Sequence, residues 1–145
     1  MRYFDTSFLA PLIREEATSV QVEAFMAVLP GSELAVSRGT LVEFASLLAR
    51  DVRMGVITGA QADDAGVLFR DIVERSFRVL SPTAEDFDVA TRYIEHHESG
   101  LRAGDALHLA IAGNNGAQAI YTLDRTMLRA GRLLGLPTDS GILID

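Results

Sequence analysis

The chain contains no cysteine, which excludes a disulfide framework, a thiolate metal site and a cysteine nucleophile. Lysine is absent as well, and all 13 basic residues are arginine. Arginine forks suit phosphate, but a compositional bias of the genome gives a lysine-free chain just as readily, and that plainer cause is preferred. No long uncharged apolar run, signal-peptide pattern, low-complexity tract or internal repeat is found, so a cytoplasmic location without membrane contact is the default expectation. Positive charge is in deficit: the formal net charge is −7 and the pI about 4.9. Bulk electrostatics therefore argues against a protein that coats itself with nucleic acid, and against a DNA-binding module. An enzyme that meets phosphate through bound cations stays open, because a metal can reverse the local sign of a site.

What remains is 145 residues, 48% hydrophobic and 23% charged, enough for one domain spanning residues 1–145 with a real core. Four short stretches read as strands bounded by turn or cap residues: Arg2 to Asp5, Glu33 to Ser37, Phe77 to Leu80, and Ala119 to Thr122. A fifth is expected between Leu136 and Ile144, weakened by Pro137 and Gly141. Helical periodicity fills the intervals: Thr40 to Met54, Ala60 to Arg75, Glu85 to His96, Asp105 to Ala112, and Arg125 to Leu134 before a capping Gly135. Capping boxes are expected at Thr18…Gln21, Thr40…Glu43, Thr58…Gln61 and Thr83…Asp86.

Strands alternating with helices predict a mostly parallel sheet of four or five strands with helices on both faces. Ligands of such sheets bind beyond the carboxyl ends of the strands. Asp5 ends the first strand, Glu43 lies one turn into the helix after the second, and Asp124 follows the Ala119 to Thr122 strand. Asp105 starts the helix that leads into that same strand, and this is expected to put it at the opposite end of the sheet unless a bent loop returns it.

Each acid also has a plain structural reading. Asp5 with Thr6 and Ser7 makes an Asx-type turn, Glu43 completes a capping box with Thr40, and Asp105 and Asp124 stand where a helix dipole favours carboxylates. His108 follows Asp105 at a metal-site spacing, but on a helix of alanine and leucine a hydrogen-bonded packing histidine is preferred. His96 and His97 read as a helix C-cap, Glu15, Glu16, Asp63 and Asp64 as solvated charges, and Val20 to Leu29 as core or partner contact.

Four segments in order carry a resemblance: DTSFL at 5–9, TLVEF at 40–44, RAGDALHLA at 102–110 and TLDRTML at 122–128. Together they resemble the successive motifs of PIN-domain ribonucleases, nearest to the VapC-type toxins of type II toxin–antitoxin pairs, over nearly the whole chain. The resemblance implies a PIN-like three-layer α/β/α sandwich. It implies that Asp5, Glu43, Asp105 and Asp124 form an acidic pocket for Mg²⁺ or Mn²⁺, with Glu43 binding directly or through water. It further implies that Ser7 and Thr122 orient carboxylates, water or substrate, that RNA is cut hydrolytically to leave a 5′-phosphate, and that a VapB-like antitoxin silences the protein. A homodimer or a toxin–antitoxin hetero-oligomer is the expected assembly. The segment from Thr138 to Asp145 aligns with no motif of the family.

The chemistry suits the residues. Two carboxylates about 4 Å apart repel by roughly 4 kcal/mol at an effective dielectric near 20, so a group of them raises its pKa values or takes a cation. Hard oxygen donors without cysteine or paired histidines suit Mg²⁺ or Mn²⁺ better than zinc. The cation would lower the pKa of an attacking water and neutralise phosphoryl charge. Arg102 is a weaker candidate for holding a substrate phosphate. Two alternatives belong to other classes. A non-catalytic module of the same fold is disfavoured by the presence of all four acids. A receiver-like or phosphatase-like phosphoryl-binding domain would need a second acid beside Asp5 and a lysine, and the chain has neither.

Overall fold

Tyr3 and Phe4 are adjacent, both fully buried, and belong to different cores. Successive side chains of a strand point to opposite faces, so this pair requires a sheet covered on both sides. The structure, a computed structural model that describes residues 1–145, has that form. Its strands are β1 (Arg2–Phe4), β2 (Leu34–Ser37), β3 (Arg78–Leu80), β4 (Ala119–Tyr121) and β5 (Thr138–Asp139). Every pairing is parallel, and the order across the sheet is β3-β2-β1-β4-β5.

Seven helices accompany them: α1 (Thr6–Leu9), α2 (Ser19–Ala27), α3 (Arg38–Arg53), α4 (Gly59–Ser76), α5 (Ala84–Glu95), α6 (Ala103–Asn114) and α7 (Arg125–Leu133). One core joins Tyr3, Ala35 and Ile120 of the sheet to Val89 of α5, Leu109 of α6 and Met127 of α7. The other joins Phe4 and Val36 to Phe8, Phe44 and Phe69 of α1, α3 and α4. The result is a three-layer α/β/α sandwich. Strand order grows outward from β1 through β2 to β3 on one side and from β4 to β5 on the other. The reversal therefore falls between β1 and β4, and a crevice opens at their carboxyl ends.

Two of the expected capping boxes form, at Thr58 with Gln61 and at Thr83 with Asp86. The other two do not. Helix α3 begins two residues earlier than its apolar periodicity suggests, so Thr40 lies inside the helix with a buried hydroxyl that finds no partner. Thr18 precedes α2 in a helical backbone conformation, and its side chain makes no capping bond. Instead the Ser19 hydroxyl accepts from the Glu16 amide at 2.9 Å and donates to the Pro11 carbonyl at 2.7 Å.

The fifth strand expected between Leu136 and Ile144 forms as the short edge strand β5, which pairs with Ile120 and Tyr121 of β4. Its approach to α7 depends on Gly131: a Cβ there would lie 2.1 Å from Thr138 Cγ2 and 2.8 Å from Thr138 Cβ. Gly131→Ala is expected to destabilise the chain by about 1–3 kcal/mol through overpacking. Gly59→Ala, whose added Cβ would meet nothing within 4 Å, should change stability by no more than about 1 kcal/mol. Urea unfolding of both variants, read by circular dichroism, checks the contrast.

Candidate acidic active site

Asp5 leaves β1 at the crevice. Its backbone amide still donates to the Tyr121 carbonyl at 3.1 Å, so its position is fixed by the sheet. The side chain is only 4% exposed and caps α1 by accepting from the Phe8 amide at 3.1 Å. Ser7 Oγ donates to the same carboxylate at 2.8 Å and Thr122 Oγ1 at 2.9 Å. Both hydroxyls are themselves aimed by backbone donors, since Ser7 Oγ accepts from the Leu123 amide and Thr122 Oγ1 from the Asp124 amide. Burial nevertheless dominates. It pushes the Asp5 carboxyl up to about 6, against the positive influence of His108 and the hydrogen bonds from Ser7, Thr122 and Phe8.

Glu43 comes from α3 and is held from two other elements. Thr6 Oγ1 donates to its Oε2 at 2.5 Å, and His108 Nε2 lies 3.0 Å from each carboxylate oxygen. Partial burial raises its pKa, but the hydrogen bond and charge of His108 and the Thr6 hydroxyl outweigh it, so the group sits below its ordinary value. His108 is the mirror case: burial lowers its pKa, and Glu43, with Asp5 and Asp105 nearby, raises it overall.

Asp105 is found where the sequence topology argued against it. Helix α6 hairpins with α5, and Asn114 at its end donates to Asp86 at the start of α5 at 2.8 Å. From there the chain turns into β4, where the Gln118 amide donates to the Met1 carbonyl at the amino edge. A 12-residue helix spans about 18 Å. Running antiparallel to the strand it feeds, α6 therefore begins at the carboxyl edge. The expectation of the opposite end treated the start of the helix as lying next to the start of the strand. A Cβ on Gly104 would stand 3.1 Å from Glu43 Oε1, so the first turn of α6 abuts that acid. Asp105 is half-buried, and burial together with the charges of Asp124 and Glu43 raises its pKa, while His108 and the Arg102 amide oppose this. Asp124 caps α7, accepting from the Met127 amide at 2.8 Å.

Capping and a place at this edge thus coexist for Asp5 and Asp124, Asp105 stands in the first turn of α6 without capping it, and Glu43 caps nothing. No group of three or more acids or histidines is gathered closely enough to hold a metal ion as the chain stands. Arg102 is the N-cap of α6, with an exposed side chain. His108 is buried and hydrogen-bonded, as its apolar helix suggests, but its partners are Glu43 and Tyr3 of β1. The contacts of Thr6 with Glu43 and of Tyr3 with His108 escaped the sequence reading; the Asp105 to His108 spacing was the one local signal that His108 belongs near the acids. His96 caps α5 and both neighbouring histidines are exposed. A cavity of about 710 Å³ between α3 and α4 is lined mainly by apolar side chains and includes none of the four acids. A groove of about 570 Å³ borders the site at Ser7 and Arg125 and runs past Arg14 to the last three residues.

Comparison with known proteins adds to this geometry. No match is found among curated proteins. Among solved structures, the chain is similar to VapC20 of Mycobacterium tuberculosis, a toxin that cleaves the sarcin-ricin loop. The two are 25% identical over 90% of this chain and 95% of that one, with a TM-score of 0.75. FitAcB of Neisseria gonorrhoeae (17% identity, 97% and 98% coverage, TM-score 0.72) and VapBC-1 of nontypeable Haemophilus influenzae (17%, 97% and 98%, 0.66) share the fold. The family model for the PIN domain matches residues 2–133, and the chain belongs to the PIN domain family.

Proposed function

We propose that this PIN domain is a metal-dependent endoribonuclease that acts as a toxin and is held in check by a cognate VapB-like antitoxin. The observation that carries the reading is that Asp5, Glu43, Asp105 and Asp124 lie around one edge of the sheet, with burial pushing the Asp5 carboxyl up to about 6 and burial with the charges of Asp124 and Glu43 raising Asp105 above its ordinary value. Similarity to a toxin that cleaves the sarcin-ricin loop supports the substrate class. The donor set fits Mg²⁺ or Mn²⁺: it is all carboxylate oxygen, and the one nearby imidazole has both nitrogens engaged. Asp5, Asp105 and Asp124 would hold the ion, with Glu43 taking part directly or through water. When bound, the ion supplies positive charge at the phosphoryl oxygens and lowers the pKa of the attacking water.

The protein's own residues do the rest. Ser7 and Thr122 fix the Asp5 carboxylate and leave it no freedom to turn. Glu43, kept ionised by His108 and Thr6, is suited to accept the proton of the attacking water. Attack at phosphorus breaks the bond to the 3′ oxygen and leaves a 5′-phosphate. Arg125, in the groove beside Ser7, and Arg102, at the start of α6, would meet backbone phosphates. An antitoxin that inserted an arginine or lysine among the acids would compete with the cation.

RNA incubated with the purified chain should be cut only with Mg²⁺ or Mn²⁺ present and should carry 5′-phosphate ends. Outer partners of metal ligands cost about 10–100-fold when removed, and Asp5→Asn should cost more. Cleavage that survives both a chelator and Asp5→Asn, or that leaves 2′,3′-cyclic phosphates, would refute the mechanism.

The same substitution should move stability the other way. The Asp5 carboxyl is raised in the folded chain from 3.8 to about 6, so the native state is favoured while the group is protonated. That stability is complete below about pH 4, declines as pH rises through 6, and amounts to about 3 kcal/mol. Without divalent ions, Asp5→Asn should therefore be more stable than the wild type by up to about this amount at pH 7.5, and by little at pH 3.5. Added Mn²⁺ should stabilise the wild type and leave the variant nearly unchanged. Urea unfolding at the two pH values, with and without Mn²⁺, measures all three.

A further inference from the structure

Glu43 is half inside the protein, with its side chain 40% exposed, while the imidazole that grips it is 4% exposed. Behind that imidazole lies Tyr3, fully buried in the central strand, with its phenol oxygen 2.6 Å from His108 Nδ1. These contacts form a single file from the middle of the sheet to the site: Tyr3, His108, Glu43. Their polarity can be assigned. An ionised carboxylate only accepts hydrogen bonds, so His108 Nε2 carries the proton shared between the two Glu43 oxygens at 3.0 Å each. Burial keeps the Tyr3 phenol protonated far above neutral pH, against the lowering influence of the Ser37 hydroxyl and amide. In the neutral ring Nδ1 accepts from the phenol, and in the charged ring that the neighbouring carboxylates favour Nδ1 donates to the phenol oxygen; Nε2 carries its proton in both.

Two features separate this arrangement from ordinary packing. The face of α6 around His108 is otherwise apolar, with Ala106, Leu109 and Ala110 fully buried. An aliphatic side chain would serve the core there without the cost of burying an imidazole. Both ring nitrogens are instead spent on residues of other elements, β1 and α3. The second feature is directional. Thr6 occupies Oε2 at 2.5 Å and His108 bridges both oxygens. Oε1 is therefore the less engaged oxygen, and it faces the first turn of α6 beside Gly104, one residue before Asp105.

We propose that His108, oriented by Tyr3, is a positioning residue that fixes the Glu43 carboxylate and turns Oε1 toward Asp105. This role rests on the reading of Glu43 as a working acid of the nuclease. His108 touches neither substrate nor the reacting atoms; it acts through Glu43.

The test uses the full chain with Mn²⁺ and an RNA that the wild type cuts. His108→Phe keeps the ring volume and removes the Nε2 donor, and should lower kcat by about 10–100-fold with little change in KM. His108→Gln, which restores an N–H donor, should recover most of the loss. Tyr3→Phe, the variant least able to disturb folding, should give a smaller loss in kcat. Independently of activity, ¹⁵N-resolved NMR of the metal-free chain should show a slowly exchanging proton on His108 Nε2. That proton should exchange faster in Tyr3→Phe. Wild-type kcat in folded His108→Phe, no recovery by a folded His108→Gln, or an unprotonated Nε2 would each overturn the proposal. A wild type that cuts no RNA would refute the nuclease reading instead, and the NMR result alone would then decide whether the Tyr3–His108–Glu43 chain exists.

Discussion

A carboxylate buried at the end of the central strand is the constraint on which the site depends. Asp5 cannot avoid its position: β1 is the middle strand of five, and its last hydrogen bond to Tyr121 fixes the aspartate at the point where strand order reverses. Burying a charge costs free energy unless donors or a counter-charge meet it. The donors here are two hydroxyls and an amide, and they only partly offset the burial, since the carboxyl still titrates near 6. The remaining imbalance is the physical reason for expecting a cation. Hydroxyls hold the group still, and they leave its charge incompletely satisfied.

The other acids arrive by the same architectural rule. In an all-parallel sheet the connecting helices run back against the strands, so their N-termini collect at the carboxyl edge. Helices α1, α3, α6 and α7 all begin there, and three of the four acids cap or enter those first turns. Helix dipoles favour negative charge at such positions, which makes a shared edge of carboxylates tolerable in the folded chain. Glu43 is the exception. It lies a turn deeper in α3 and is stabilised by side chains from α1 and α6 in place of a helix terminus.

Much of this was legible in sequence, because it is local. The apolar approach to Asp5, the turn-bounded strands and the capping boxes at Thr58 and Thr83 depend on neighbours within a few residues. The failures share a different character. Thr40…Glu43 has the spacing of a capping box, but α3 starts at Arg38 and Glu43 is recruited by Thr6 and His108, 37 and 65 residues away. Strand–helix order alone pointed Asp105 to the opposite edge, and only the resemblance brought it to the site, because the direction of α6 is set by its hairpin with α5, a tertiary fact. His108 was readable as buried and bonded, but nothing within its helix names Tyr3 as a partner across 105 residues. The edge strand β5 falls within the expected Leu136 to Ile144, but its bounds were blurred by Pro137 and Gly141, and its fit against α7 depends on the absence of a side chain at Gly131.

Under the proposed function, a chain of net charge −7 gains nothing from general attraction to RNA, and the positive charge that meets a phosphate would have to be local to this edge. Metal ions held by the acids, with arginines in the flanking groove, would supply it. The most direct measurement is a crystal structure of the chain grown with Mn²⁺ and read by anomalous scattering. Predicted is an anomalous peak at the β1–β4 crevice, about 2.1 Å from carboxylate oxygens of Asp5 and of Asp105 or Asp124. A fully Mn²⁺-saturated crystal with no peak among those carboxylates would contradict it.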